Sequence, residues 1–334
     1  MLSALLFPVL YGLVIFLAGM KLMETALSRL SGPLLEAALR RATATPLTGM
    51  AVSALLTALL QSSTAVTVLA IGMVNAGLLT YGRTLGIVLG SNIGTCLTTE
   101  LIGLQISRYA GPLLACSAAL WAAGVTAAEI SPFRPGRAAA MARRSGEPLQ
   151  FIALAAGGFA LVVWGIAVMQ SIAPELKSSG LLDLLLERAA GGVLWGFAAG
   201  ACLTALLHSS AAVIGMAMGV AAGGGLPPAL GIALVLGANV GTCLTAVIAA
   251  IGGTRSGAFV AWAHVALNAG GALLFLPLTG ALERASALLG GGPAAQLAHA
   301  QTIFNVACSL LALPLCYLPV WSRGERNPDG PLPH

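Results

Sequence analysis

Apolar residues run through this chain in long blocks, and polar residues fall between those blocks or, in a few places, inside them. Residues 2–22, 109–128, 150–171, 257–279 and 296–320 each read as an apolar run of roughly twenty residues, the length a helix needs to cross a ~30 Å hydrocarbon core. Segments 24–45 and 174–190 carry the charges and read as amphipathic. Stretches 47–79 and 193–222 are apolar but interrupted at mid-length by Gln61-Ser62-Ser63 and His208-Ser209-Ser210. A straight helix of that length would run ~45 Å, so each stretch predicts a helical hairpin, re-entrant or fully spanning, with the polar triplet at its tip. Segments 84–106 and 229–252 are broken by Asn92-Ile93-Gly94-Thr95 and Asn239-Val240-Gly241-Thr242, which predicts helices unwound at mid-membrane.

These features come in pairs because the chain is written twice. Thr57-Ala58-Leu59-Leu60-Gln61-Ser62-Ser63-Thr64-Ala65-Val66 returns as Thr204-Ala205-Leu206-Leu207-His208-Ser209-Ser210-Ala211-Ala212-Val213, an offset of 147. The same offset carries Gly90-Ser91-Asn92-Ile93-Gly94-Thr95-Cys96-Leu97-Thr98 onto Gly237-Ala238-Asn239-Val240-Gly241-Thr242-Cys243-Leu244-Thr245. The matches are polar and glycine residues, which chance similarity of apolar sequence would not align. Each hairpin makes an even number of crossings and the other spans an odd number, so the second copy enters from the opposite side. The fold class predicted is an all-α polytopic membrane protein of two inverted-topology repeats, each with a helical hairpin and a broken transmembrane helix. Residues 1–128 form repeat unit 1, 129–149 a basic cytoplasmic linker, and 150–279 repeat unit 2. Residues 280–322 form an extra loop and last span, and 323–334 a cytoplasmic tail.

Composition agrees with that pattern. The chain of 334 residues is 58% hydrophobic and 8% charged, with a mean hydropathy of +0.93. Soluble proteins carry about 25% charged residues, so this chain cannot build a polar shell. A cytosolic enzyme, a secreted disulfide scaffold and a conventional nucleic-acid binder are excluded. None of the six cysteines forms a C-x-x-C pair, so neither a zinc site nor a redox motif is signalled. No basic segment precedes Leu2, so residues 2–22 read as a retained span, not a cleaved leader.

Charge also orients the chain. One side collects Lys21, Arg29, Arg40, Arg41, Arg83, Arg134, Arg137, Arg143, Arg144, Arg255, Arg323 and Arg326; the other has only Arg108, Lys177, Arg188 and Arg284. That bias predicts the N-terminus outside and the C-terminus in the cytoplasm. The four arginines of 129–149 read as an anchor against anionic lipid.

Inverted repeats with broken helices are a transporter architecture, in which helix ends facing each other offer N–H groups to an anion and C=O groups to a cation. The candidate substrate- and ion-binding residues are Gln61, Ser62, Ser63, Thr64, Asn92, Thr95 and Thr98, with His208, Ser209, Ser210, Asn239, Thr242 and Thr245 in the second copy. Na⁺ is placed near Gln61, Ser62, Ser63, His208, Ser209 and Ser210. No Lys or Arg stands at either break, so a bound anion would be met by helix N-termini, hydroxyls and co-bound cations.

The Gln61-Ser62-Ser63-Thr64 hairpin with Gly90-Ser91-Asn92-Ile93-Gly94-Thr95, both repeated, resembles the type II sodium/phosphate cotransporter family in its bacterial form. Residues 12–23 resemble that family's opening span. Ala263-His264-Val265-Ala266-Leu267-Asn268 and Gln301-Thr302-Ile303-Phe304-Asn305 resemble its two late His/Phe-Asn motifs. The resemblance covers roughly residues 5–320. It implies Na⁺-coupled uptake of inorganic phosphate by alternating access, with the two Ser-rich tips forming the substrate and sodium site. His208 stands where that family usually has Gln, Ala211 where a third hydroxyl is common, and Gln301 where His is usual. The expectation is of a form without the family's C-terminal regulatory domain.

Glu100, His264, Asn268, Gln301 and Asn305 are secondary candidates. Glu100 is an acidic residue inside a span, and its repeat mate is Val247. An intramembrane carboxylate is costly, and it could bind Na⁺, carry a proton, or simply sit near the outer end of a broken helix. His208 could titrate near neutral pH or act as a neutral Gln substitute. His264 and Asn268, one helical turn apart, could line the cavity or staple two helices. The partners implied are inorganic phosphate, Na⁺ and membrane lipid, with no nucleic acid and no cofactor beyond the coupling ion; homo-oligomerisation stays open. Two alternatives remain: an H⁺- or Na⁺-coupled transporter of another small oxyanion, and a non-transporting membrane sensor or scaffold. No H-E-x-x-H, G-x-S-x-G or P-loop motif points to an enzyme or an ATP-driven pump.

Overall fold

The computed structural model describes residues 2–42, 44–76, 78–104, 106–130, 137–171, 192–319 and 321. The expected amphipathic segment 174–190 and the tail from 323 onward lie outside the described residues, as does part of the basic linker. The described residues are helical throughout, without a strand. Seven helices or helix pairs among them are long and apolar enough to cross a membrane: Phe7–Leu30, Tyr81–Gly103, Ser107–Ala128, Ser145–Gln170, Pro228–Ala250, Arg255–Ala287 and Gly292–Tyr317.

The chain divides into two compact units. The first joins residues 1–33 to 105–172, and the second joins 34–104 to 173–334. In the first, helix α1 (Leu2–Ala42) begins the chain, and α6 (Ala110–Ile130) leads to α7 (Arg137–Gln170). Gly12 packs on Gly165 and Met169, and Gly19 on Gly158 and Val162, so α1 and α7 run antiparallel with backbone against backbone. The span expected at 2–22 and the amphipathic segment expected at 24–45 are one helix. Lys21 and Glu24, 3.3 Å apart, pair across one turn of its surface, so the charges that looked like a boundary are compatible with continued helix. Leu39, near its end, belongs to the buried cluster of the second unit with Leu56, Leu60, Val66 and Ala70.

The second unit holds both hairpins and both broken helices. Helices α2 (Pro46–Leu60), α3 (Ser63–Asn75), α4 (Tyr81–Gly94) and α5 (Cys96–Gly103) contain 15, 13, 14 and 8 residues. Helices α8 (Val193–Leu207), α9 (Ser210–Ala222), α10 (Pro228–Gly241) and α11 (Cys243–Ala250) repeat those lengths in order. Three more follow: α12 (Arg255–Phe275), α13 (Thr279–Ala287) and α14 (Gly292–Ala312).

Local chemistry sets the boundaries. Thr45 caps α2 through a reciprocal bond with Thr48, and Pro46 occupies the first helical position, where its missing N–H costs nothing. Glycine sets the packing. Gly86 lies on Pro46, Gly90 on Met50 and Gly94 on Ala54, so α2 and α4 run parallel, and a Cβ on Gly90 would overlap the Met50 carbonyl oxygen. Helix α3 returns between their ends, which makes α2–α3 a hairpin. In the second copy Gly200 lies on Leu234, Gly237 on Phe197 and Gly241 on Ala201.

The two copies interlock. Gly103, at the end of α5, meets Ala295 and Ala298 of α14 and Met218 of α9. Ala246 of α11 shares a buried cluster with Ile71 and Val74 of α3. The second piece of each broken helix therefore packs against the returning arm of the opposite hairpin.

Candidate functional site

Both hairpins turn in the same way. Gln61 and His208 close α2 and α8 in the left-handed region, at φ of 56° and 52°. Among the described residues they alone combine a positive φ with a side chain larger than hydrogen. That conformation costs about 1–2 kcal/mol for an L-residue, and such strain collects at functional sites. Glycine would remove it, so the retained side chains need a reason. Ser62 and Ser209 follow in extended conformation and cap the next helices, accepting from Ala65 N at 3.3 Å and Ala212 N at 3.2 Å. Ser63 and Ser210 are the first residues of α3 and α9, with Thr64 next to Ser63. Each tip thus presents hydroxyls beside the first-turn N–H groups of a 13-residue helix, where partial positive charge concentrates.

The broken helices stand beside these tips. The interruption is one residue long, at Thr95 and Thr242, and both keep helical dihedrals (φ −64°, ψ −22° and φ −61°, ψ −27°). The expected unwinding is therefore a minimal fault. Thr95 Oγ1 satisfies the Asn92 carbonyl at 2.7 Å, and Thr242 Oγ1 the Ala238 carbonyl at 3.0 Å, so little backbone is left to open.

Hydrogen bonding around the tips separates the copies. Thr98 Oγ1 donates to Gln61 Oε1 at 2.6 Å, while Gln61 Nε2 donates to the Ala58 carbonyl, so both ends of the amide are held. Thr98 thus holds Gln61 in place at the tip. In the second copy Thr245 bonds back to the Thr242 carbonyl at 2.8 Å, and His208 is exposed. Asn92 reaches α12, donating to Asn268 Oδ1 at 3.2 Å, whereas Asn239 bonds to the Val235 carbonyl of its own helix at 2.8 Å.

The secondary candidates flank both breaks in a matching frame. Cys96 Sγ donates to the Gln301 carbonyl on α14, and Cys243 Sγ to the His264 carbonyl on α12. Gln301 and His264 therefore correspond, as do Asn305 and Asn268. Thr99 Oγ1 donates to Gln301 Oε1 at 2.6 Å, and Asn305 Nδ2 contacts Cys96 Sγ at 3.4 Å. The position matching Thr99 is Ala246, and among the described residues His264 has no partner for either of its buried ring nitrogens. Asn268 is bonded to the His264 carbonyl at 3.0 Å as well as to Asn92, so it joins α12 to the first break.

Sequence reasoning missed His299. It lies on α14 within 3.0 Å of Glu100, which also accepts from Thr302 Oγ1 at 2.5 Å. The available signal was helical spacing: His299 and Thr302 are one turn apart on the last span. A 380 Å³ cavity lined by Leu85, Phe259, Trp262, Leu267 and Trp321 is apolar and contains none of the candidate residues. No group of three or more His, Cys, Asp or Glu able to hold a metal occurs among the described residues.

Seven spans, two paired hairpins with arms shorter than the hydrocarbon core and hydroxyl-lined tips define a multi-pass membrane protein of the transporter class. The chain belongs to the Na⁺/Pi-cotransporter family, whose profile matches residues 15–134 and 161–292. The starts of those two stretches are 146 residues apart, close to the repeat offset in the sequence. An uncharacterized Bacillus subtilis protein, YqeW, is 32% identical over 308 residues, 92% of this chain and 93% of its own length. An Escherichia coli protein named for inorganic phosphate export, YjbB, is 24% identical over 296 residues; that match covers 89% of this chain and 51% of YjbB. The rabbit (Oryctolagus cuniculus) sodium-dependent phosphate transport protein 2A is 40% identical over 62 residues, 19% of this chain and 10% of its own. No solved structure matches the chain.

Proposed function

We propose that this protein is a secondary active transporter that moves inorganic phosphate across the membrane together with Na⁺, by alternating access of inverted repeats. Membership of the Na⁺/Pi-cotransporter family supports the substrate and the ion. The observation that carries the site is the matched pair of strained tips, Gln61-Ser62-Ser63 and His208-Ser209-Ser210. Phosphate oxygens accept from the first-turn N–H groups and Ser hydroxyls of α3 and α9, while Gln61 Oε1 and Ser oxygens face Na⁺. With no Lys or Arg in either tip, the anion's charge is balanced by the co-bound cations, so coupling is obligatory: an uncompensated anion in low dielectric is too costly to move. Asn92, Thr95, Thr98, Asn239, Thr242 and Thr245 hold the breaks and tips in place.

The test is radiolabelled phosphate uptake into proteoliposomes under an inward Na⁺ gradient or an equal K⁺ gradient. Na⁺-dependent accumulation that disappears in Ser62→Ala and in Ser209→Ala supports the reading. Equal uptake with either cation, or normal uptake in both variants, refutes it. A second reading, net export, is favoured by the name of the Escherichia coli relative. The same vesicles preloaded with phosphate and Na⁺ measure it.

A further inference from the structure

The 380 Å³ apolar cavity takes no part in the proposed transport site, yet three elements of the second unit build it. Leu85 comes from α4, and Leu315 and Trp321 come from the chain that follows α14. The wall between them is α12, which contributes Phe259, Trp262, Ala263, Ala266 and Leu267. Those positions follow the i, i+3, i+4, i+7, i+8 spacing of a single helix face, about 12 Å long. His264 and Asn268 stand on the other side of α12, where Asn268 meets Asn92 of the first break. One helix thus turns one face to the break and the opposite face to the cavity.

The lining selects an apolar occupant. It offers no hydroxyl, amide or charge, and Trp321 Nε1 already donates to the Leu315 carbonyl at 2.6 Å. Water, which needs about two to four polar partners to be held, finds none there. Trp262 and Leu315 on the rim are 62% and 51% exposed, so the cavity opens sideways, onto a surface that hydrocarbon covers in a membrane-spanning chain. Its volume lies within the range of small-molecule sites. Residues 322–334, which follow Trp321 in the sequence, hold one large apolar residue, Leu332, and are too polar to fill it.

Positive charge gathers at one end of the cavity. Arg83 precedes Leu85 by two residues on α4, and Arg255 precedes Phe259 by one turn on α12. Arg83 is half-buried and Arg255 exposed. The two helix starts stand side by side: the Tyr81 hydroxyl lies 3.0 Å from Ser256 Oγ, and the Tyr81 and Phe259 rings are 4.5 Å apart. The Phe259 ring in turn lies 5.1 Å from that of Trp321. Tyrosine and tryptophan beside basic residues mark the level of lipid head groups in spanning proteins. A lipid whose chain enters the cavity therefore brings its head group to Arg83 and Arg255.

We propose that this cavity binds one acyl chain of an anionic phospholipid, whose head group is held by Arg83 and Arg255, and that the bound chain secures α12 against α4. Basic pockets between transmembrane helices take anionic head groups on the same electrostatic ground. The chain supplies the apolar contacts that the cavity walls do not make with one another, and the guanidinium groups choose among lipids by head-group charge. The site binds the folded protein only, so its occupancy raises the stability of the fold by mass action.

The test needs no transport assay. The purified full chain is stripped of lipid in detergent, and phosphatidylglycerol and phosphatidylcholine with identical acyl chains are added back in equal amounts. Native mass spectrometry then counts the lipids retained. Wild type should prefer phosphatidylglycerol by about five- to thirtyfold, since one basic side chain near a lipid head group is worth about fivefold. Phosphatidylglycerol should also raise its melting temperature more than phosphatidylcholine does. Ala266→Phe places a ring in the cavity and should abolish both the preference and the added stability. Arg83→Gln with Arg255→Gln leaves the cavity walls alone and should cut the preference below about twofold, so it tests the head-group contact even where Ala266→Phe yields no folded protein. Arg284→Gln, on α13, should behave as wild type. Equal retention of the two lipids by wild type overturns the proposal. So does a wild-type preference kept by Ala266→Phe or by the double arginine variant, or a melting temperature that phosphatidylglycerol does not move.

Discussion

Thr98 and Thr245 occupy equivalent places in the two repeats, yet they should respond very differently to the same substitution. Valine copies the shape of threonine and removes only the hydroxyl. At Thr98 that hydroxyl is buried (5% exposed) and holds Gln61 Oε1 at 2.6 Å. Losing it removes a hydrogen bond worth about 0.5–1.5 kcal/mol and leaves an amide oxygen short of a donor at a cost of about 1–3 kcal/mol. If about a third of that falls on the geometry of the tip, about 0.5–1.5 kcal/mol, the Na⁺ concentration for half-maximal phosphate uptake rises roughly two- to twelvefold in Thr98→Val. At Thr245 the hydroxyl bonds only to the Thr242 carbonyl of its own helix. Removing such a back-bond is close to neutral, so Thr245→Val should change half-saturation less than about twofold. Na⁺ titrations of uptake in proteoliposomes, with thermal unfolding in detergent to exclude gross damage, measure both. Equal shifts in the two variants, or the larger one at Thr245, would refute the argument that the first tip alone is tied to its broken helix.

His208→Gly relieves left-handed strain at an exposed side chain, so it should hold or raise the melting temperature while uptake collapses; a fall in stability with uptake preserved contradicts a functional reason for the strain. Gly90→Ala and Gly237→Ala place a methyl against the Met50 and Phe197 carbonyls and should destabilise by about 1–3 kcal/mol, seen as loss of monodisperse protein on heating. His264→Leu removes a buried imidazole with no partner among the described residues, so stability should be unchanged or higher, and any loss of uptake assigns the ring to the working state.

The hairpins were legible because a polar triplet in thirty apolar residues leaves few other solutions, and their tips fall at Gln61-Ser62 and His208-Ser209. The breaks were legible in position but not in extent: Gly94 and Gly241 suggested unwinding, and they serve instead as flat surfaces for Ala54 and Ala201. In the sequence, the charges of Lys21 and Glu24 read as a boundary within α1, whereas in the fold those two residues pair along one helical surface. Glu100 stood out as a carboxylate in a span, but His299 did not, since its partner lies 199 residues away and only folding brings them together. The differing roles of Thr98 and Thr245 were also hidden, because identical residues at identical repeat positions carry no sign of which neighbour each hydroxyl will find.

The short-armed hairpins also bear on how the protein is made. Arms of 15 and 13 residues measure about 22 and 20 Å, too short for the insertion machinery to accept as spans one at a time. The glycine surfaces that receive α2 and α8 belong to α4 and α10, which are synthesised later. Each hairpin must therefore wait at the membrane surface or within the translocon until its downstream partner arrives. Until then the faces of α2 and α8 that α4 and α10 cover, at Met50, Ala54, Phe197 and Ala201, are bare, which makes this interval the stage at which a nascent chain depends most on an insertase or chaperone.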